Sequence, residues 1–313
     1  MPYVLAQAAQ VLFMLAFAPL LRGILDRFRA RLAFRTGPPI WQPYRDLVKW
    51  FGKETVRTDL STWVSALAPV GYFIAPVLVT MLIPVLVNQP LPLAFMGDML
   101  GGGMILAAGG ALLLFAALDS GGPYPGLGAS RVRLIGVLAE PMASLAVFTA
   151  AAVGRATIPF VVNRAFSSGP WIASASHLLV VLAWFLLLVA ETGKSPVDNP
   201  ASTQELSLID PARTFEAAGP DLALYEWGGW LKYAVLSTVL VNVLGSPWGL
   251  AGQLTVWSVV AAVPLVAGKL LLAGLATETF SACFAKLRLL RLPEYLLAGS
   301  VVALLAAVAT IRP

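Results

Sequence analysis

One cysteine and one histidine stand in 313 residues, and charged side chains make up only 12% of the chain. A lone thiol, Cys283, closes no intrachain disulfide and cannot by itself hold an iron–sulfur cluster or a thiolate zinc site. His177 lies in an apolar run, where a histidine near a helix end satisfied by backbone or water is a better reading than a metal ligand. The sequence also lacks a nucleophile triad and a nucleotide-binding loop. It therefore predicts no catalytic residue and no metal site of its own, so redox chemistry in which it takes part belongs to other polypeptides. Scarcity of charge excludes a mostly water-exposed surface as well. Apolar residues are 58% of the chain and the mean hydropathy is +0.81, so the lipid bilayer is the expected solvent. In a soluble protein the net charge of +5 would suggest nucleic acid. Here its placement reports orientation instead, and no nucleic-acid partner is expected.

Apolar stretches of about 20 residues, the length that crosses a hydrocarbon core, read as eight spans. They are Tyr3–Leu25, Trp63–Val87, Gly97–Leu118, Leu134–Phe160, Trp171–Ala190, Trp230–Leu244, Leu254–Ala276 and Glu294–Ile311. The expected fold is an all-α polytopic membrane protein, one transmembrane domain over residues 1–313, with both termini on the same side. The first span is too long for a cleaved signal peptide and has its arginines after it, not before. Nine basic residues run from Arg22, at the end of the first span, to Arg57, and Arg131, Arg133, Lys194, Arg213, Lys286, Arg288 and Arg291 occupy the other loops of that side. Only Arg155, Arg164 and Arg312 fall opposite. This asymmetry predicts cytoplasmic long loops and outward termini, in a cell or inner membrane.

Two of those loops carry further pattern. Residues 41–54 place apolar side chains at Tyr44, Leu47, Val48 and Phe51, with Arg45 and Lys49 elsewhere, which predicts an amphipathic helix lying on the membrane interface. The segment 191–229 holds seven carboxylates against Lys194 and Arg213. A loop this long is usually functional or docked. The run Gly101-Gly102-Gly103 lies inside a span and reads as close helix packing rather than a phosphate loop.

Several motifs resemble a known family. They are Arg35-Thr36-Gly37-Pro38-Pro39, Gln42-Pro43-Tyr44-Arg45-Asp46-Leu47-Val48-Lys49, Leu118-Asp119-Ser120-Gly121 through Gly128-Ala129-Ser130-Arg131, Glu191-Thr192-Gly193-Lys194-Ser195-Pro196-Val197-Asp198-Asn199-Pro200, Gly219-Pro220-Asp221-Leu222-Ala223-Leu224 and Arg288-Leu289-Leu290-Arg291-Leu292-Pro293-Glu294-Tyr295. Together they are similar to the membrane subunit shared by respiratory complex I and the membrane-bound nickel–iron hydrogenases, the formate hydrogenlyase membrane subunit included. Pro196-Val197-Asp198-Asn199-Pro200 and the Asp-Ser-Gly loop look closer to the hydrogenase branch. Many members of that branch carry a His-Glu pair where Asp210-Pro211 stands here, and a histidine at Thr203. That departure leaves the usual proton-uptake wiring of the loop open.

The carboxylates are the candidate functional groups. Glu140 lies about 10 Å inside a span at 1.5 Å per residue. A carboxylate there is expensive unless it faces the bundle interior or a wet cavity; a coupling role and a structural role both remain open. The resemblance implies that Glu140, Glu191, Asp198, Glu205 and Glu216 form an acidic chain leading from the peripheral arm toward antiporter-like membrane subunits. For the loop carboxylates a solvated surface is an equal alternative. If 205–216 were one helix, Glu205 and Glu216 would share a face, but Pro211 makes that conditional. Lys269, well inside the seventh span, reads as a counter-ion or relay, whereas Lys232 is explained by snorkelling. By the same resemblance Arg35, Arg45 and Asp46 dock the peripheral arm, or anchor the interface.

What these readings imply is a membrane-anchoring, energy-coupling subunit of a hydrogenase or formate hydrogenlyase-like complex, not catalytic alone. It would link electron transfer to proton or sodium translocation. Its expected partners are the hydrogenase large and small subunits, an iron–sulfur subunit, the antiporter-like subunits and the lipid bilayer. The chain carries no cofactor in this reading; the nickel–iron centre and the clusters lie in the partners. The alternatives are a quinone-site subunit of a complex I-like dehydrogenase, in which a quinone would bind, and a passive anchor.

Overall fold

The computed structural model describes residues 2–94, 97–168, 174–198 and 208–311. The described residues are helical with a single isolated bridge, Val87 to Ala251, and no strand. In chain order the helices are α1 (Pro2–Leu32), α2 (Gln42–Phe51), α3 (Trp63–Leu82), α4 (Met99–Asp119), α5 (Pro123–Gly154), α6 (Pro159–Ser168), α7 (Ala175–Glu191), α8 (Gly219–Thr238), α9 (Val256–Cys283) and α10 (Leu292–Ile311). Six of them, α1, α3, α4, α5, α9 and α10, are long and apolar enough to cross a membrane. α7 is a shorter apolar helix of 17 residues. α8 is extended by a π-helical turn, Val239–Gly245, and carries Asp221, Glu226 and Lys232. Each of the eight expected spans thus has a helix, and the protein is a multi-pass all-α membrane protein.

The boundaries differ from the expected ones for local reasons. α1 continues to Leu32, because nothing in Arg22–Leu32 breaks a helix and the arginines near its end suit the helix dipole. α3 stops at Leu82, since Pro84 cannot continue it; residues 83–88 run irregularly through the interior, with Val85, Leu86 and Val87 fully buried. Backbone at that depth needs partners. Asn242 donates to the carbonyls of Pro84 and Val85 at 3.1 and 3.0 Å, and Gln10 donates to that of Thr80 at 2.7 Å. α5 begins at Pro123, eleven residues before the expected span, with the proline at the first turn where its missing N–H costs nothing. It ends at Arg155 in the left-handed region, and α6 is separate.

Glycines set the closest helix approaches; of the triplet the sequence suggested, Gly102 is buried with its Cβ position 3.6 Å from Val79 Cγ1 of α3, an ordinary contact. A Cβ on Gly109 would lie 2.7 Å from that of Ala75, so this residue brings α4 onto α3; Gly103 has open space around it. Gly23 does the same for α2: a Cβ there would lie 1.9 Å from the Ile40 carbonyl oxygen, so the segment leading into α2 rests directly on α1. α2 buries Pro43 and Leu47 and half-buries Trp50, whereas Val48 is 75% exposed and Phe51 44%. Its inward face is therefore centred on 43/47/50; of the expected 44/47/48/51 stripe, Leu47 is buried and Phe51 meets the Trp227 ring of α8 edge-on, centroids 6.4 Å apart, while Val48 points outward. Tyr44 still reaches the Ala16 carbonyl through its hydroxyl.

Candidate functional site

Charged side chains collect at one end of the bundle, where α1, α7, α8 and α9 meet. The centre is Glu278, 1% exposed, near the end of α9. Arg29 of α1 reaches it with two N–H groups at 2.8 and 3.0 Å, and Lys194 donates from the turn after α7. The Lys194 ammonium also donates to Thr277 Oγ1 at 3.2 Å and lies 4.2 Å from the centre of the Tyr233 ring. The Tyr233 hydroxyl and Thr277 Oγ1 are 2.7 Å apart. A carboxylate so deeply buried is tolerable only when paired and hydrogen-bonded, and both conditions hold.

Lys232 of α8 donates to Glu191 Oε2 at 2.7 Å and to the Glu191 carbonyl at 3.1 Å. It is a paired interior cation, not a snorkelling one. Asp198, 0% exposed, accepts from Lys286 at 2.7 Å and from the backbone N–H groups of Ile209 and Asp210 at 3.1 and 2.9 Å. Asp210 in turn pairs with Arg213. Pro211 starts a 3-10 turn, Pro211–Thr214, so the stretch from 208 to 216 is not one helix and the shared-face condition for Glu205 and Glu216 is not met. Between these groups lies a cavity of about 310 Å³, bounded by Arg22, Arg29, Glu191, Asp210, Glu226 and Lys232 among others.

The structure brings Glu191 to the cavity and holds Asp198 just behind it through Asp210. Glu216 is exposed, its carboxylate beside Gly122 at the start of α5. Glu205 and Thr203 lie outside the described residues. Lys269 is elsewhere: its ammonium donates to the carbonyls of Ser246 and Trp248, at the other end of the bundle. Glu140 sits near the middle of α5 but on its outer face, exposed, with Val137 and Phe148 beside it on that face. It faces neither the bundle interior nor the cavity of the ion pairs. Arg35 and Arg45 are exposed, and Asp46 accepts from Gln42 at 2.8 Å. His177 is buried with its Nε2 2.7 Å from the Leu244 carbonyl oxygen, a backbone partner as expected.

Sequence reading missed Glu278 and Arg29. Ending the seventh span at Ala276 put Glu278 in a loop, and Arg29 was counted only as a topology signal. An unbroken helical run through Cys283 was the available clue, since it places Glu278 on a helix.

Among the described residues no group of three or more His, Cys, Asp or Glu side chains has the arrangement of a metal site. What this end of the bundle offers is a set of buried, paired charges around a cavity, an arrangement suited to holding and passing protons or to seating a polar ligand. The chain belongs to the NADH dehydrogenase family, whose family model matches residues 6–311. Over 97% of both chains it is 35% identical to formate hydrogenlyase subunit 4 of Escherichia coli (strain K12). It is 32% identical to hydrogenase-4 component C of the same organism, over 79% of this chain and 76% of that one. Its fold matches a chain in the structure of the membrane-bound sulfane sulfur reductase, an archaeal respiratory membrane complex, with a TM-score of 0.85, 21% identity and coverage of 99% of this chain and 100% of the other.

Proposed function

We propose that this chain is the membrane-anchoring and energy-coupling subunit of a membrane-bound hydrogenase or formate hydrogenlyase-like complex. The observation that carries the reading is the set of buried and half-buried ion pairs, Arg29–Glu278–Lys194, Glu191–Lys232 and Asp198–Lys286, gathered at one end of the bundle. The near full-length similarity to formate hydrogenlyase subunit 4 supports the same assignment. Electron transfer and its cofactors, the nickel–iron centre and clusters, belong to the soluble partners. The basic loops face the cytoplasm and the termini face outward, in the cell membrane.

Coupling requires a group whose protonation answers to events at the charged end. Glu140 supports that role: a carboxylate on the outer face of α5, beside Val137 and two turns from Arg133 on the same face, is costly in lipid and is stabilised by a partner membrane subunit covering α5. Glu140→Gln keeps the volume and removes the titratable group. The expected outcome is an assembled complex with normal electron-transfer turnover and reduced ion translocation per electron, both measured in the same membrane vesicles. An unchanged ratio assigns Glu140 a structural role.

The cavity favours a second reading, a quinone-site subunit, because 310 Å³ is near the lower end of the size range of small-molecule pockets. A photoreactive quinone analogue separates the two: labelling of Tyr72, Tyr225 or Trp230, all cavity-lining, supports the quinone site.

A further inference from the structure

The turn that ends α1 breaks a local rule. The Arg35 N–H donates to the Ala30 carbonyl at 2.8 Å and the Phe34 N–H to the Arg31 carbonyl at 3.0 Å, which is the Schellman pattern of a helix C-terminus. The residue at its left-handed position is usually glycine, because a side chain there crowds the backbone. Here it is Phe34, at φ +55°, and its side chain is 100% exposed. No contact among the described residues compensates for the choice. The turn is firmly seated, since a Cβ on Gly37 would lie 2.9 Å from Arg27 Cα and Ala30 Cβ. Phe34 is thus presented on a fixed support, beside the exposed Leu32.

The bilayer does not cover it. The apolar run of α1 ends at Leu25, since Arg22 lines the cavity and pairs with Asp26; the helix continues to Leu32, about 10 Å further at 1.5 Å per residue. The headgroup layer on one side is only about 5–8 Å deep, so Phe34 stands clear of it even with the usual helix tilt of about 20°. Flanking it, Arg31 and Arg35 are exposed, and among the described residues neither has a carboxylate partner within 4.0 Å.

We propose that Phe34 is an anchor residue, inserted in the assembled complex into an apolar pocket on a water-soluble subunit, with acidic groups at the pocket rim facing Arg31 and Arg35. An aromatic knob with arginines at its edge is the composition that dominates protein–protein binding energy, and the unpaired cations call for a negative partner surface. The inference rests on the proposed assembly with a peripheral arm, and it names the contact that holds that arm.

The test uses the complex purified through a tag on this chain, comparing wild type with Phe34→Ala. The readout is the half-life of the soluble subunits on the membrane part after dilution at fixed salt. Phe34→Ala is expected to shorten it at least tenfold, and Phe34→Tyr to restore most of it. A companion variant, Phe34→Cys in a Cys283→Ser background, is expected to react with a water-soluble maleimide when the chain alone is in liposomes and to be shielded in the complex. Equal half-lives for wild type and Phe34→Ala, or a position 34 already shielded in liposomes, overturn the anchor. If Phe34→Ala changes nothing while Arg35→Glu with Arg45→Glu releases the arm, docking stands and the anchor falls. If no soluble subunit copurifies with the wild-type chain, the assembly itself falls.

Discussion

Glu278 illustrates how one carboxylate organises three helices. Its two oxygens take Arg29 from α1 and Lys194 from the turn after α7, and the group itself is supplied by α9. Removing it leaves Lys194, 6% exposed, as a buried cation with only hydroxyl and ring contacts. Breaking a buried pair in this way costs about 3–5 kcal/mol, whereas replacing both members by apolar groups costs far less. Glu278→Leu is therefore expected to lower the midpoint of thermal unfolding in detergent markedly, and Glu278→Leu with Lys194→Met to recover much of the loss. Equal destabilisation in the two variants would mean that the charges are not what the site balances. Lys232 makes the complementary point: its position in the sequence suggested a side chain reaching for the membrane surface, yet its length spans the gap to Glu191 on α7.

Among the elements, α2 is the one whose placement depends most on a single contact. Its ten residues are too few to hold a helix in isolation. It persists because Pro43, Leu47 and Trp50 lie against α1 and α8, and because Gly23 lets the Ile40 backbone touch α1. A methyl group at Gly23 meets backbone, which cannot rotate away. Gly23→Ala is expected to cost about 1–3 kcal/mol, the usual range for overpacking, and to loosen α2, seen as faster amide exchange over residues 42–51 than in the wild type. Unaltered exchange there would show that α2 is held by its apolar stripe alone. The sequence pattern predicted this helix to within one residue at its start and three at its end, but only part of its inward face. The periodicity accommodates either Val48 or Trp50 inward, and only packing against the rest of the bundle selects Trp50.

For the molecule as a whole, orientation is the property with the widest consequences. The proposed orientation turns the charged cavity, the Phe34 turn and the basic loops toward one compartment, the cytoplasm. Cys283, exposed just beyond Glu278 at the end of α9, is a natural reporter for that end and the only thiol in the chain. A membrane-impermeant maleimide is expected to label it in inverted membrane vesicles and to leave it unlabelled in right-side-out ones, read on the purified chain. The reverse pattern would turn the assignment of every loop over at once. A cytoplasmic charged end is required if soluble redox subunits are to dock there, so this measurement also bears on the proposed assembly.

Composition and run length were sufficient to determine that this is a polytopic helical membrane protein. An apolar fraction of 58% has no stable home in water, and a helix is the only element that satisfies its own backbone in lipid over runs of this spacing. The order of the spans and the charge asymmetry of the loops were legible for the same reason, since each depends on nearby residues only. Which carboxylates are buried depended on the tertiary structure. Glu140 and Glu278 look alike along the chain, one within an apolar run and one at its edge. Packing puts Glu140 on the outer face of α5 and Glu278 between Arg29 and Lys194, residues separated from it by 249 and 84 positions. Pairings over such distances are set by how the helices cross, and crossing is decided by side-chain shape at contacts such as Gly109 on Ala75 and Gly23 on Ile40, which hydropathy does not encode.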